Sequence, residues 1–351
     1  MNKIGAHQLL PSLEDGDAIG SYARLLQAAL RADGREAEIF VFRKRPGQRD
    51  CRSFRKHQNS RKEDILIFHT SIGSPLAPYF AATPGRKVLV HHNITPARFF
   101  AGHKPEDAWL AILARKQLRD LAGIVEAAVA DSAYNAKELV ELGYPVPSVI
   151  PLPLSPERSG EASAEPRKNT ILFVGRVAPN KRQDELVRVL AAYREIFDPS
   201  ARLVLVGDTE NFPTYAARIR GLIAAHGLEK AVELTGKIPD EDLRARYAEA
   251  AVFVCLSLHE GFGVPLIEAS AAGVPVLARD AGAAADTLGE AGVIFAQEDP
   301  VRIASLIHLL ARDTELRRRV LAAQARRVAY FRDFPFAESW RGVLAPLLAA
   351  G

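Results

Sequence analysis

A chain of 351 residues is longer than one hydrophobic core usually supports, because cores rarely grow past roughly 250–300 residues, so two domains are expected. With 48% hydrophobic and 25% charged residues, the composition excludes a disordered or fibrous protein, and no apolar run approaches the ~18 residues of a membrane-spanning helix. The net charge is only +4, and the two cysteines, Cys51 and Cys255, stand far apart, so a disulfide framework is not expected and a reducing cytoplasm is. Met1 to His7 has no apolar h-region, so no signal peptide is expected.

In chain order, Ile4 to Leu10 reads as a strand, Asp15 to Gly20 as a loop, and Ser21 to Ala32 as a helix with apolar residues at helical spacing. Asp33-Gly34 ends that helix, and Ala37 to Phe42 is the next strand, which makes a β-α-β unit of a parallel sheet. The first loop has two glycines, Gly16 and Gly20, but not the dinucleotide fingerprint, so no nicotinamide cofactor is inferred. Residues 43–62 hold nine basic side chains against one acid, Asp50. Such a run reads either as a solvated loop or as a surface attracted to anionic lipid headgroups. Nucleic acid is not expected, because Phe54 alone interleaves an aromatic ring. Asp64 to His69 and Lys87 to His92 are strands that end in histidine at the carboxyl edge, where open α/β sheets place ligands. His91 is expected to face away from His92, and no carboxylate or cysteine nearby completes a zinc ligand set for the pair. A helix over 109–122, a strand over 127–132, a helix over 135–142 and a strand over 149–154 close the first domain, 1–154. Ser155 to Asn169 is rich in Ser, Glu, Pro and Gly and reads as a linker.

The second domain, 170–334, repeats the alternation. Thr170 to Gly175 is a strand, followed by the loop Arg176-Val177-Ala178-Pro179-Asn180-Lys181-Arg182 and a helix from about Asp184; Arg182 is expected to be a solvated neighbour. Arg202 to Asp208 and Val232 to Ile238 are strands, and helices cover 215–226 and 240–249. The apolar run Ala250 to Leu256 reads as a buried parallel strand. It leads into His259-Glu260-Gly261-Phe262-Gly263-Val264-Pro265-Leu266-Ile267-Glu268, a loop opening a helix that Gly273 and Pro275 stop. Helix N-termini favour anions, and Gly261 and Gly263 let a ligand approach the backbone. The two flanking carboxylates conflict with a bare phosphate but suit sugar hydroxyls, so a phosphate that also carries hydroxyls fits. Glu268 is placed in the first helical turn, and Glu260 on the loop, free to reach out. A strand over 274–278, a small-residue loop at Gly282, one long helix over 300–331 whose arginines 317, 318, 319, 326 and 327 form a solvated face, and a terminal helix over 334–350 complete the chain.

Glu260 and Glu268, seven residues apart in the string Glu-Gly-Phe-Gly-Val-Pro-Leu-Ile-Glu, resemble the E-x7-E signature of retaining GT4-family glycosyltransferases. Gly175-Arg176 with Lys181 resembles that family's Gly-Arg-x-x-x-x-Lys string, and Gly282 its Gly-Gly turn, although Asp286 stands where Glu is usual. His7-Gln8-Leu9-Leu10-Pro11, Gly16-Asp17-Ala18-Ile19-Gly20 and His92-Asn93-Ile94-Thr95-Pro96 are similar to bacterial mannosyl- and rhamnosyltransferases of surface polysaccharide synthesis.

The resemblance implies an α/β GT-B fold, two doubly wound Rossmann-like domains facing across a cleft, with the terminal segment 335–351 crossing back onto the first. It implies transfer of a hexosyl group from a nucleoside diphosphate sugar, GDP-mannose or a GDP-deoxyhexose favoured, to a glycan or polyprenyl-diphosphate-linked glycan. In that reading Glu260 and His92 contact the sugar, Glu268 holds the ribose diol, and Arg176 and Lys181 stabilise the leaving diphosphate without a metal. Gly261, Phe262, Gly263, Val264 and Pro265, with Gly175 and Gly207, line the donor site; Lys237 and Ile238 meet the base, and Gly16 lies near the phosphates, with Asp17 and Gly20 near them or the acceptor. The implied partners are the donor and the acceptor glycan, with peripheral contact to the inner face of the cytoplasmic membrane through 43–62. Three alternatives stay open: a UDP-sugar-dependent transferase of the same family, another enzyme on the same architecture, and a non-catalytic sugar-nucleotide-binding partner.

Overall fold

The computed structural model describes residues 4–14, 17–57, 60–152, 154 and 169–349. Two parallel α/β units emerge. One gathers the described residues up to Ala101, Pro105–Leu152 and the segment from Phe334 on; the other takes Gly102–Lys104 and the described residues up to Asp333. Gly16 and the linker 155–168 lie outside the described residues.

The first unit is built on β1 (Ala6–Ser12), β2 (Ile39–Arg43), β3 (Arg52–Ser53), β4 (Ile65–Thr70), β5 (Arg86–His91), β6 (Ala127–Ala130) and β7 (Ser148–Val149). All pairs are parallel, in the order β3-β2-β1-β4-β5-β6-β7. Its helices are α1 (Ala18–Ala32), α2 (Leu76–Ala82), α3 (Pro105–Leu121) and α4 (Ala133–Glu141). Helix α1 starts three residues earlier than expected, so Gly20 is buried inside its first turn rather than on a loop. The final strand is shorter than expected, because Pro151 has no N–H to give a ladder.

The second unit holds β8 (Thr170–Val174), β9 (Arg202–Val206), β10 (Val232–Gly236), β11 (Val252–Cys255), β12 (Val276–Arg279) and β13 (Val293–Phe295), in the parallel order β10-β9-β8-β11-β12-β13. Helices α5 (Gln183–Ile196), α6 (Pro213–Ala225), α7 (Asp240–Glu249), α8 (Val264–Ala271), α9 (Ala284–Leu288), α10 (Pro300–Arg312) and α11 (Thr314–Arg332) cover it. The long helix expected over 300–331 is two, because the Asp313 side chain caps a new start by accepting from the Leu316 N–H at 2.9 Å. Nor are all its arginines solvated. Arg317 donates to the Ala251 carbonyl, and Arg327 donates to the Thr287 and Asp286 carbonyls and lies over the rings of Tyr330 and Phe331.

The carboxyl-terminal helix α12 (Phe336–Ala349) belongs to the first unit. Its Phe336, Trp340 and Leu344 join Tyr22, Leu26 and Leu30 of α1 over the strand residues Ile65, Ile67, Val88 and Val90. The Trp340 indole N–H donates to the Tyr22 hydroxyl at 3.2 Å, so the one polar atom of that buried ring is satisfied.

Candidate active site

In the second unit the strand order reverses between β8 and β11, and the crevice at such a switch point is where open α/β sheets bind ligands. The loops leaving these two strands carry both charged motifs, so sequence positions about 80 apart meet at one sheet edge. The β8 exit runs through Arg176 into a short 3₁₀ turn, Pro179–Lys181. That turn is stitched to the β11 exit by Asn180, whose carbonyl accepts from the Leu258 N–H at 2.8 Å and whose amide donates to the His259 carbonyl at 3.3 Å. The Gln183 amide donates to the Arg176 carbonyl at 2.8 Å and fixes the loop's other end.

These stitches set Lys181 against Glu260. Its ammonium reaches both carboxylate oxygens at 2.7 Å, with the two side chains 18% and 10% exposed. Glu260 is therefore not a free loop carboxylate, as its position in the sequence suggested, but a buried and paired one. Burial pushes its pKa up, and Lys181, with the Ser257 hydroxyl, outweighs this and holds it below the usual range. The Cys255 thiol lies 3.7 Å from the same carboxylate, and burial pushes its pKa up to about 11, so it is an inert neighbour. Arg176, by contrast, is exposed and makes no ion pair among the described residues. Arg182 is more than a solvated neighbour: it takes a left-handed conformation, φ 56°, and pairs with Asp184 at 3.2 Å and Glu185 at 3.3 Å.

Glu268 lies one residue deeper in α8 than expected, just past the first turn, because the helix begins at Val264 and not at Pro265. It is 2% exposed and accepts from the Tyr247 hydroxyl at 2.9 Å, which orients the carboxylate from behind. Gly263, in the left-handed region, caps α8, and Val264 and Pro265 form its first positions. The Phe262 ring packs edge-on against Phe331 and its carbonyl accepts from Thr287, so that residue anchors the loop.

Two glycines owe their identity to close approach. At Gly282, φ 62°, an added Cβ would fall 2.3 Å from the Glu260 carbonyl oxygen, and the next N–H, of Ala283, donates to that same oxygen at 2.9 Å. At Gly207 it would fall 2.2 Å from the Gly175 carbonyl oxygen, so these two glycines let the β8 and β9 exits touch. Lys237 is exposed and Ile238 half-buried just past β10, two strands from β8 on the same edge.

His92 belongs to the first unit and sits in a different environment. Gln8 of β1 gives its amide N–H to the Ala23 carbonyl at 3.0 Å, which leaves its oxygen to accept from His69 Nε2 at 2.9 Å. His69 then accepts through Nδ1 from His92 Nε2 at 2.9 Å, and His92 Nδ1 faces the Asp131 carboxylate at 3.2 Å. Asp131 also accepts from the Asn135 amide at 2.5 Å, and Asn135 accepts from Asn93 at 2.7 Å. Burial, then the neighbouring His92, holds His69 neutral with its pKa well below the ordinary value. Both ring nitrogens of His92 are thus engaged, and its side chain is 3% exposed. His91 turns the other way, to Glu138 at 2.9 Å. His91 and His92 thus each have a carboxylate partner of their own, and no group of three or more potential ligands among the described residues is arranged to hold a metal ion. Among the described residues only Asn93 and Arg182 are non-glycine residues with positive φ, and each directly follows a candidate site residue, His92 and Lys181.

Asp131, Asn180, Gln183 and Tyr247 were not singled out from the sequence, and Gln8 and His69 were noted only within a string and at a strand end. Most of their partners lie far away along the chain, where no local spacing signals them.

A pair of doubly wound parallel units, the second with a basic and an acidic strand-exit loop locked together at its switch point, defines a GT-B-type glycosyltransferase fold. Residues 156–327 match the family model described as glycosyl transferases group 1. The GDP-mannose:cellobiosyl-diphosphopolyprenol alpha-mannosyltransferase of Xanthomonas oryzae pv. oryzae is 37% identical over 120 residues, 34% of this chain and 30% of that protein. The GDP-mannose-dependent alpha-(1-6)-phosphatidylinositol monomannoside mannosyltransferase of Mycobacterium tuberculosis is 28% identical over 235 residues, 61% of this chain and 60% of that protein. The chain thus spans 30% and 60% of the length of these two curated relatives. In fold it is similar to the sucrose-phosphate synthase of Thermosynechococcus elongatus, with a TM-score of 0.78 and 20% identity over 99% of this chain and 100% of that one. The segment 156–327 thus carries the group 1 glycosyltransferase match, and the likeness in fold extends over the whole chain.

Proposed function

We propose that the protein is a retaining hexosyltransferase that takes its sugar from GDP-mannose or a GDP-deoxyhexose and gives it to a hydroxyl of a glycan or lipid-linked glycan. The observation that carries the reading is the constellation of Arg176, Lys181, Glu260 and Glu268 at the switch point of one sheet. Glu268, buried and oriented by Tyr247, is an acceptor suited to a ribose diol. Arg176 and Lys181 offer two cations to the diphosphate, one a bidentate donor and the other a point charge. Glu260 is an acceptor for hexose hydroxyls.

In the step we infer, the bond from the anomeric carbon to the diphosphate oxygen breaks as the acceptor oxygen bonds to the same face of that carbon. The acceptor proton passes to the departing phosphate oxygen. The two cations stabilise the negative charge that develops there, and in this reading no metal or other cofactor is needed. No carboxylate nucleophile is assigned, unlike in retaining glycosidases. The guanosine preference rests on the relatives' printed donors and on the amino-terminal strings.

A lipid-linked acceptor would be met at a membrane surface. Arg43, Lys44, Arg45 and Arg55 line a shallow cavity of about 530 Å³ with Phe42 and Phe54, a surface suited to anionic headgroups, although no helix among the described residues is long and apolar enough to cross a membrane.

A thermal-shift screen against GDP, UDP, ADP and dTDP without added metal, followed by turnover assays with the matching sugar nucleotides, tests the reading. A GDP response and turnover of a GDP-hexose are expected. Turnover of a UDP-sugar with none of a GDP-sugar would overturn the donor assignment, nucleotide binding without turnover of any sugar nucleotide would favour the non-catalytic alternative, and no response to any nucleotide would overturn the donor reading.

A further inference from the structure

The site holds its two cations in unlike surroundings. Arg176 is exposed and makes no ion pair among the described residues, whereas Lys181 is neutralised by both oxygens of Glu260 at 2.7 Å. The pair is well shielded, and the salt bridge to Lys181 is the one ion pair that Glu260 makes among the described residues. Glu260 engages two of the three donors of the Lys181 ammonium, so a diphosphate that takes Lys181 as its counter-charge competes with Glu260 for it.

We propose that the Lys181–Glu260 pair is a place-holder that makes Glu260 discriminate between the sugar nucleotide and the bare nucleoside diphosphate. This rests on the donor reading above. When the whole donor binds, both halves of the broken pair are replaced: phosphate oxygens take Lys181, and hexose hydroxyls donate to Glu260. When the nucleoside diphosphate binds alone, Lys181 is replaced but Glu260 is not. A buried carboxylate is then left beside the diphosphate without its cation, with only the Ser257 hydroxyl and the Cys255 thiol as donors, which is costly. The same pair therefore favours the substrate over the product left after transfer, and it re-forms as that product leaves. Asn180 and Gly282 act as positioning residues, because they hold the two loops at the distance at which the pair closes.

The test is a double-mutant cycle on nucleoside diphosphate affinity, measured by calorimetry on the full chain. The ligand is whichever of GDP, UDP, ADP or dTDP stabilises the wild-type protein most. Glu260→Gln, with Glu260→Ala as a second variant should the first fail to fold, abolishes turnover yet binds the nucleoside diphosphate about tenfold more tightly, because Lys181 is no longer occupied. In a Lys181→Met background the same change at Glu260 gives a distinctly smaller gain, since only through-space repulsion is relieved. A structural role alone would not tighten product binding. Unchanged or weaker binding by the Glu260 variants, or an equal gain in both backgrounds, overturns the inference while leaving the donor reading intact. No nucleotide binding by the wild-type protein overturns the donor reading and this inference with it.

Discussion

At the strand ends of the first unit, side chains from β1, β4, the exits of β5 and β6, and α4 close a hydrogen-bond chain from the Ala23 carbonyl through Gln8, His69 and His92 to Asp131 and Asn135. Gln8 and Asn135 are fully buried and His69 nearly so. At the switch point of the second unit the polar groups are charged, one cation is exposed, and the central pair is held by loops rather than by strands. Buried, fully satisfied networks rigidify a fold, and breaking one partner strands the rest. Part-exposed charges contribute little to stability and are available to a ligand. The difference separates a region that positions backbone from one that exchanges partners.

Substitutions at the two places should therefore fail differently. The largest effect is expected on rate: Arg176→Ala lowers kcat by about 10²–10³ if a leaving diphosphate depends on it. Its thermal midpoint should barely move, because the side chain is exposed. A steady-state assay beside a melting curve checks both halves, and a large stability loss would erase the contrast. Asp131→Ala should invert the pattern. Leaving His92 and Asn135 without their shared acceptor costs about 1–3 kcal/mol of stability for each stranded buried group, read from urea unfolding. A neutral Asp131→Ala would show that the chain of hydrogen bonds is incidental.

Gly282→Ala tests the link between loop geometry and charge. A Cβ at φ 62° that would meet the Glu260 carbonyl oxygen at 2.3 Å should cost about 1–3 kcal/mol and move Glu260 off Lys181, lowering activity as well as stability. Loss of stability with full activity would mean that the loop need not hold Glu260 in place.

The smallest expected effect is on pH dependence. Burial, then the neighbouring His7, lowers the His57 pKa from 6.5 to about 4. Below pH 6.5 the unfolded chain takes up a proton that the native imidazole refuses, so stability falls as the pH drops from 6.5 to about 4 and is unaffected by this group above that window. His57→Gln should flatten that slope in part, because His7 and His69 also have lowered pKa values and remain. An unchanged slope between the two variants would contradict it.

The same contrast explains what was legible in the sequence. The second unit's charges sit in short contiguous strings, so Glu260 and Glu268 stood out on a glycine- and proline-bearing helix start, and Arg176 and Lys181 through the resemblance of their string to the family's. What the strings do not encode is contact. That Glu260 is buried against Lys181, that Asn180 joins the two loops, and that Gly282 admits the Glu260 backbone all depend on strand order. The first unit's network has no single string: Gln8, His69, His92 and Asp131 come from separate strand ends, and the strings that hold Gln8 and His92 do not encode that they meet. Among the elements, strands with continuous apolar runs were clear, while the split at Asp313 was passed over although Asp-Thr-Glu-Leu is a recognisable cap.

The central claim is that the β8 and β11 exit loops together form a diphosphate site. Calorimetric binding of GDP to the wild-type protein and to Arg176→Ala and Lys181→Met, without added metal, tests it most directly. The account predicts measurable GDP binding that weakens at least about tenfold in each variant. GDP binding left unchanged by both substitutions would contradict it.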